Sequence, residues 1–326
     1  MRCAGRWALV CQHLTVARVA DGLAGAWNIA DDAVLAKGKR VLIAAPRRLD
    51  GVRVLGVDSR GWRHTRHDDK YVTVIIDLTG IWDGTGPARL LDMVEGRFKQ
   101  AFKAWLAERP QRRRDQVEVV AMDGFTGLET ATTEELPEAV AVIAPFHVVR
   151  LAGDALDQCR RRVPQTPRGH RGRTGAPLNT SRRTLHTGAD LLTNKQKTSL
   201  QALFTIDEHA AVEVTWSISQ QMIAEHRHPD RKQGRTLLNK LTDTLRRGVP
   251  AALSELVTLG RTLNRRATDV LAYSGRPGNS NGPTEAINGR LEHLRGSALG
   301  FRNLTNYIVR SLLESDGFGP QLHRRL

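Results

Sequence analysis

Two aspartates and one glutamate occupy positions from which their carboxylates could bind a divalent cation. Asp58 comes directly after the β-branched apolar run Val52–Val57, and Asp123 comes directly after the apolar run Val117–Met122. Because a residue that follows a buried strand lies at the edge of the sheet, these carboxylates can converge if the two strands are neighbours. Glu285 falls in the first turn of a predicted helix, where the helix dipole favours its negative charge.

Three carboxylates together would form a site made of oxygen ligands only. Such a site suits Mg²⁺ or Mn²⁺, and two ions about 4 Å apart can activate an attacking oxygen and stabilise a leaving oxygen in phosphodiester chemistry. Each residue alone has a simpler structural explanation, since a strand-end Asp often caps a turn and a first-turn Glu complements the helix dipole. The hypothesis of metal-dependent phosphoryl transfer therefore depends on the three residues occurring together.

The charge balance indicates a polyanionic partner. The 326 residues include 49 Lys and Arg against 34 Asp and Glu, which leaves a formal net charge of +15. Nucleic acid is the expected partner, with a membrane surface as the alternative. No apolar run approaches the roughly 20 residues that span a bilayer, so the expected location is the cytoplasm, in association with the nucleoid. The three cysteines have no spacing typical of a zinc site or of a disulfide framework.

The first half of the chain carries both strand and helix patterns. Val52–Val57 and Tyr71–Leu78 predict a β-hairpin, and a weaker third strand is expected near Ile81. The predicted elements that follow are a helix over Pro87–Glu108, a strand over Val117–Met122, a helix over Phe125–Glu135, a strand over Ala139–Ile143 and a helix over Phe146–Arg162. Their order, β-β-β-α-β-α-β-α, indicates an α/β fold.

Beyond this region the sequence predicts helices only. The arginine-rich tract Arg160–Arg173 contains two prolines and two glycines, a composition that argues against a buried element. Arg171 and Arg173 of this tract are predicted to contact DNA. At the other end of the chain, Leu14–Gly38 predicts two short helices, which are either a helix-turn-helix remnant or a plain helical hairpin.

Several motifs carry a resemblance to a known family. They are Gly56–Asp58 followed by Trp62-Arg63, Val120–Gly124, Pro145–Val149, Ser280–Arg290 and Gly300–Asn303, of which the string over Ser280–Arg290 is the most specific. With these motifs the chain resembles the DDE insertion-sequence transposases of the ISL-three type, from about Val16 onward. The resemblance implies a ribonuclease-H-like mixed sheet, with Asp58, Asp123 and Glu285 as the catalytic triad that binds the metal ions.

The same resemblance implies a reaction and a domain organisation. Cleavage of DNA would expose a 3′-hydroxyl that then attacks target DNA, within a homo-oligomeric synaptic complex. Residues 1–50 would form a short helical N-terminal region, 51–162 the first part of the catalytic core, 163–280 a basic linker and an all-α insertion domain, and 281–326 the last part of the core.

Further residues near the triad are candidates for contact with DNA. On the helix that contains Glu285, the residues Asn288, Glu292 and Arg295 follow at i+3, i+7 and i+10 and therefore share one face. Asn288 and Arg295 are predicted to contact a DNA phosphate beside the metal ions, and Arg302 is predicted to do the same. The alternative for these residues is a solvated surface.

The chain departs from the family pattern at two places. Relatives usually show Asp-x-x-His after the strand that follows the second aspartate, whereas this chain has Ala144 and keeps His147, a candidate site residue. Relatives also usually carry a cysteine-rich zinc-binding region, whereas this chain begins MRCAGRWALVCQ. Two hypotheses follow: a DNA transposase that cleaves and transfers strands, or a transposase-derived DNA-binding regulator without catalytic activity.

Overall fold

The computed structural model describes residues 35–36, 38–45, 47–62, 71–97, 99–123, 126–168, 175–275 and 282–316. The chain divides into two compact units, one made of 1–141 with 278–326 and the other made of 142–277. Most of the predicted N-terminal helix pair lies outside the described residues, so its role stays a prediction. Within the described ranges, no helix is long and apolar enough to cross a membrane.

The strands form a five-stranded mixed sheet. They are β1 (Val54–Gly61), β2 (Tyr71–Asp77), β3 (Arg89–Glu95), β4 (Val119–Met122) and β5 (Val140–Ile143). The order in the sheet is β3-β2-β1-β4-β5, in which β1 pairs antiparallel with β2 and parallel with β4, and β2 pairs antiparallel with β3. This arrangement confirms the predicted hairpin and the predicted α/β, ribonuclease-H-like fold class.

The helices surround the sheet in the first unit and make up almost all of the second. A π-helical turn covers Lys39–Ile43, and the helices that follow are α1 (Thr79–Trp82), α2 (Lys99–Ala107), α3 (Gln111–Arg114) and α4 (Thr126–Glu135). The second unit contains α5 (Pro145–Arg168), α6 (Pro177–Thr180), α7 (Arg182–His186), α8 (Asn194–Phe204), α9 (Ala210–His226), α10 (Arg231–Arg247), α11 (Ser254–Arg265) and α12 (Ala267–Gly275). The C-terminal pair, α13 (Gly282–Ser297) and α14 (Leu304–Ser315), returns to the first unit.

The third strand corrects two of the predictions. The sequence predicts the third strand near Ile81, but Ile81 lies in α1. The third strand is instead β3, which occupies part of the range Pro87–Glu108 for which the apolar spacing predicts a helix. The paired Leu90 and Leu91 fit a buried strand as well as a helical face, so their spacing alone does not distinguish the two. The backbone of Gly96 has φ +103, a conformation that favours glycine, and it ends the strand before α2 begins.

The two faces of β1 have different surroundings, because side chains alternate along a strand. Leu55 and Val57 face an apolar core that contains Phe102 from α2 and Leu128 from α4. Burial of a large apolar side chain of this kind contributes about 1.5–3 kcal/mol, so this face anchors the sheet. Asp58 therefore points to the opposite face, toward α13.

Beyond β5 the described part of the second unit contains helices and no strand, and the sequence predicts helices only beyond Arg173. Val148 of α5 shares a buried apolar cluster with Met222 of α9, Leu241 of α10, Leu259 of α11 and Val270 of α12. This compact unit begins at residue 142 and so includes α5. The basic linker and insertion domain predicted from the sequence begin later, at residue 163. Its assignment as an insertion domain stays a prediction.

The basic tract begins inside a helix. Helix α5 continues to Arg168, and Arg160 is 5% exposed. Arg160 Nε donates a hydrogen bond to Asp157 Oδ1 at 3.1 Å, and Arg160 Nη1 donates to Asn179 Oδ1 at 2.7 Å. The expectation that the tract avoids burial is therefore wrong for Arg160, because a carboxylate and an amide oxygen satisfy the buried guanidinium.

Candidate active site

The two predicted aspartates belong to neighbouring strands, with Asp123 directly after β4 as predicted. The prediction that Asp58 follows its strand is wrong, because the pairing with β2 extends β1 through Asp58 to Gly61. Val57 of β1 is the register partner of Met122 of β4, and the next residue along each strand is Asp58 and Asp123, respectively. Adjacent strands lie about 4.8 Å apart, which brings the backbones of these two residues close together. Since Val57 and Met122 both face the apolar core, the alternation of side chains directs both aspartates to the other face.

Helix α13 lies on the face of β1 that carries Asp58. A Cβ atom at Gly56 would come within 2.6 Å of Thr284 Oγ1, so the absence of a side chain at Gly56 permits the close approach of the helix. One turn along α13, Asn288 Nδ2 donates a hydrogen bond to Asp58 Oδ2 at 2.6 Å. Glu285 lies between these two contact residues, in the first turn of the helix, and its side chain is exposed.

The electrostatics of Asp58 reflect the other two carboxylates. The pKa of Asp58 is raised from 3.8 to about 6, mainly because burial disfavours its charged form and also because Asp123 and Glu285 bring negative charge near it. The backbone N–H of Ser59, which donates to Asp58 Oδ1 at 2.7 Å, and the amide of Asn288 both act to lower this pKa. Three carboxylates thus share one electrostatic environment, which a cation would neutralise.

The polar atoms around Asp58 suit a hard cation. Asn288 Oδ1 is buried and accepts no hydrogen bond, and Thr284 Oγ1 is likewise buried without a hydrogen-bond partner. Both are oxygen atoms, the ligand type that Mg²⁺ and Mn²⁺ prefer. Across the described ranges, however, no three His, Cys, Asp or Glu side chains form a group able to hold a metal ion. The structure therefore brings the aspartates and Asn288 together and leaves Glu285 nearby with its side chain in solvent.

A second group of contacts joins the strand of Asp58 to the helix of Glu285. Arg60, two residues after Asp58 and on the same face of β1, donates from Nη1 to the backbone carbonyl oxygen of Asn288. Arg60 Nη2 also donates to Glu292 Oε2 at 2.5 Å, and Arg295 donates to both carboxylate oxygens of Glu292. Sequence reasoning missed Arg60, although its period-two spacing from Asp58 was a signal that could have identified it.

The remaining candidate residues lie in different settings. Arg295 is only 14% exposed at its side chain, where it is paired with Glu292, and Arg302 is exposed before α14. His147 is buried at the start of α5 in the second unit, where its ring stands edge-on to Phe146 at 5.3 Å. Arg171 and Arg173 lie outside the described residues. Among the predicted DNA contacts, Asn288 is in direct contact with a carboxylate of the triad.

The sequence of this chain is similar to those of known proteins. Residues 55–311 match the family model for DDE transposases of the ISL-three type, described as a transposase. The chain is also 25% identical over 309 residues to the transposase for insertion sequence element IS1557 from two strains of Mycobacterium tuberculosis, CDC 1551 and H37Rv. The alignment covers 88% of this chain and 66% of each relative, so the chain spans just under two thirds of their length. Among solved structures, the Drosophila P element transposase strand transfer complex is similar with a TM-score of 0.47 and 11% identity, covering 95% of this chain and 90% of that chain.

Proposed function

Because the chain belongs to the ISL-three family of DDE transposases, we propose that it cleaves and transfers DNA strands with a metal site held by Asp58, Asp123 and Glu285. The cofactor would be Mg²⁺ or Mn²⁺, bound as two ions. When bound, such ions activate the attacking oxygen of water or of a 3′-hydroxyl and stabilise the leaving oxygen of the phosphodiester. The reaction proposed is the cleavage of transposon ends followed by their joining to target DNA.

The observation that carries this proposal is the parallel pairing of β1 with β4, which brings Asp58 close to Asp123 on the central strand that α13 contacts through Asn288. The pKa of Asp58, raised to about 6 by burial and by the charges of two further carboxylates, supports it, because perturbed carboxylates often mark functional sites. Neighbouring carboxylates that repel one another in this way are typical of sites that bind cations. The unsatisfied Asn288 Oδ1 beside Asp58 supports the same conclusion.

Each residue of the proposed metal site would have a separate role. Asp58 and Asp123, fixed on neighbouring strands, would provide the rigid half of the site. Asn288 would hold the orientation of Asp58 through its amide hydrogen bond. Glu285 is exposed, and rotation about its side-chain bonds would let its carboxylate join the aspartates when a cation neutralises their repulsion.

The partners follow from the charge and the family. Double-stranded DNA, as transposon ends and as target, would bind the surface that gives the chain its net charge of +15. We assign contact with DNA phosphates to Asn288, Arg295, Arg302, Arg171 and Arg173, and we retain His147 as a site residue on the strength of its motif. The active assembly would be a homo-oligomer that holds two DNA ends, located in the cytoplasm with the nucleoid.

A cleavage assay separates this function from that of a regulator. The protein would be incubated with DNA that carries the ends of its own element, with Mg²⁺, with Mn²⁺ or with EDTA. The transposase produces new 3′-hydroxyl ends with either metal and none with EDTA. A protein that binds these ends but never cuts them, even with Mn²⁺ and pre-nicked ends, is the DNA-binding regulator instead.

A further inference from the structure

One buried carboxylate in the second unit is in contact with four basic side chains. Asp157 of α5 accepts from Arg160 Nε at 3.1 Å and from His186 Nε2 at 3.2 Å through Oδ1. Its Oδ2 is 2.6 Å from Arg161 Nη2 and 3.4 Å from Arg182 Nη2. These residues come from α5 and α7, so the carboxylate joins two helices of the unit.

Burial divides this cluster into an inner and an outer part. The side chains of Asp157 and Arg160 are 10% and 5% exposed, whereas those of Arg161, Arg182 and His186 are 48%, 59% and 38% exposed. A guanidinium has five N–H donors, and the described contacts of Arg161 and Arg182 with Asp157 each use a single Nη2 atom. Arg161 and Arg182 therefore have most of their donors available for a further partner.

The charges of the cluster do not balance. Arg160, Arg161 and Arg182 contribute three positive charges against the single negative charge of Asp157. Burial acts to raise the pKa of Asp157, but hydrogen bonds from His186 and Arg160, with the charges of Arg160 and Arg182, hold it below its ordinary value. The carboxylate is therefore ionised, and an excess of positive charge remains at the surface. Even when the exposed Asp154 one turn earlier on α5 is included, the sum is positive.

We propose that Arg161, Arg182 and His186, ordered by Asp157, form a docking site for backbone phosphates of double-stranded DNA on the helical unit. Arginine forks match phosphate oxygens, and a carboxylate that fixes the forks in advance lowers the entropy lost on binding. The choice of DNA as the partner rests on the proposed function. The site itself lies entirely within the second unit and requires no metal.

Salt dependence of DNA binding tests this site. A fluorescein-labelled duplex would be titrated with the full chain in EDTA, at salt concentrations between about 50 and 200 mM. The test variant is Arg161→Ala with Arg182→Ala, and the control is Arg261→Ala with Arg265→Ala, which removes two exposed arginines from α11 of the same unit. Both variants lose two positive charges, so net charge alone predicts the same change in the salt dependence of DNA affinity for both.

The docking site predicts unequal effects. In the test variant, the slope of log affinity against log salt becomes less steep by about 2, since each phosphate contact contributes about 0.9. In the control variant, the slope changes by less than half as much. The single variant Arg182→Ala, at the most exposed position, gives about half of the change in slope. It keeps the test valid if the double variant does not fold. Equal slopes for test and control variants would overturn the proposal. Because EDTA prevents metal-dependent cleavage, a failure of catalysis leaves this result unaffected.

Discussion

Asn288 Nδ2 donates a hydrogen bond to Asp58 Oδ2 at 2.6 Å and so joins the helix of Glu285 to the central strand of the sheet. This bond links two parts of the chain that are 230 residues apart in sequence. It stabilises the charged form of Asp58, whereas burial and the nearby charges of Asp123 and Glu285 favour the neutral form.

Replacement of Asn288 tests the electrostatic balance at Asp58. In Asn288→Ala the carboxylate loses a donor that lowers its pKa, so the pKa of Asp58 should rise above about 6 in metal-free protein. NMR titration of carboxyl-labelled aspartate measures this value. Asn264→Ala, an exposed asparagine on α11, serves as the control and should leave the pKa unchanged. A pKa of Asp58 that stays the same or falls in Asn288→Ala would show that the hydrogen bond does not act on its charge.

Asp58 should make stability depend on pH in the absence of metal. Its pKa is about 6 in the folded protein and about 3.9 when unfolded, so its stabilising contribution is complete below the unfolded value and is lost as pH rises through 6. This loss amounts to at most about 3 kcal/mol at neutral pH. Asp58→Asn removes the titration, so the variant should be more stable than wild type near pH 7 and equal to it near pH 4. Urea unfolding of the variant and of wild type at each pH measures this difference in stability, with Glu208→Gln at an exposed position as the control.

The close approach of α13 to β1 predicts intolerance of a methyl group at Gly56. Gly56→Ala would place Cβ 2.6 Å from Thr284 Oγ1 and 3.0 Å from Leu78 Cδ1, so the side chain of Thr284 or the helix that carries it must shift. The free energy of unfolding should fall by about 1–3 kcal/mol. Gly86→Ala is the matched control, because nothing lies within 4 Å of its Cβ position. If both variants are equally stable and active, the packing of α13 on the sheet is not as described.

Sequence patterns identified the strands of Asp58 and Asp123 because each contains an apolar run followed by an acidic residue, although β1 continues through Asp58 to Gly61. They could not place the third strand, since Leu90 and Leu91 suit either period and β3 contains a register shift opposite Ile75 and Ile76. They also missed Arg60, whose role depends on contacts with a residue 228 positions later in the chain. Period-two spacing places Arg60 on the same face of β1 as Asp58, but it does not identify a partner so far away in the sequence.

Arg60 should position the helix of Glu285 without touching DNA. In Arg60→Ala the helix loses hydrogen bonds at Asn288 and Glu292, so kcat should fall by roughly 10–100-fold while the KM for DNA changes little. Arg60→Lys should recover part of the loss, and adding Glu292→Gln to Arg60→Ala should cause little further loss because the two residues act together. Arg112→Ala, an exposed arginine on α3, is the control for charge. A rise in KM with unchanged kcat would instead make Arg60 a DNA contact.

The central claim is that Asp123 belongs to the metal site, and Asp123→Asn tests it most directly. The substitution keeps the size of the side chain and removes the negative charge that would hold the cation, while the basic surface proposed to bind DNA is unchanged. The measurement is Mg²⁺-dependent cleavage of element-end DNA, made beside binding of the same DNA in EDTA and beside a wild type that cleaves. We expect Asp123→Asn to bind DNA with wild-type affinity and to make no detectable cut with Mg²⁺ or Mn²⁺. Cleavage at the wild-type rate by Asp123→Asn would contradict the central claim.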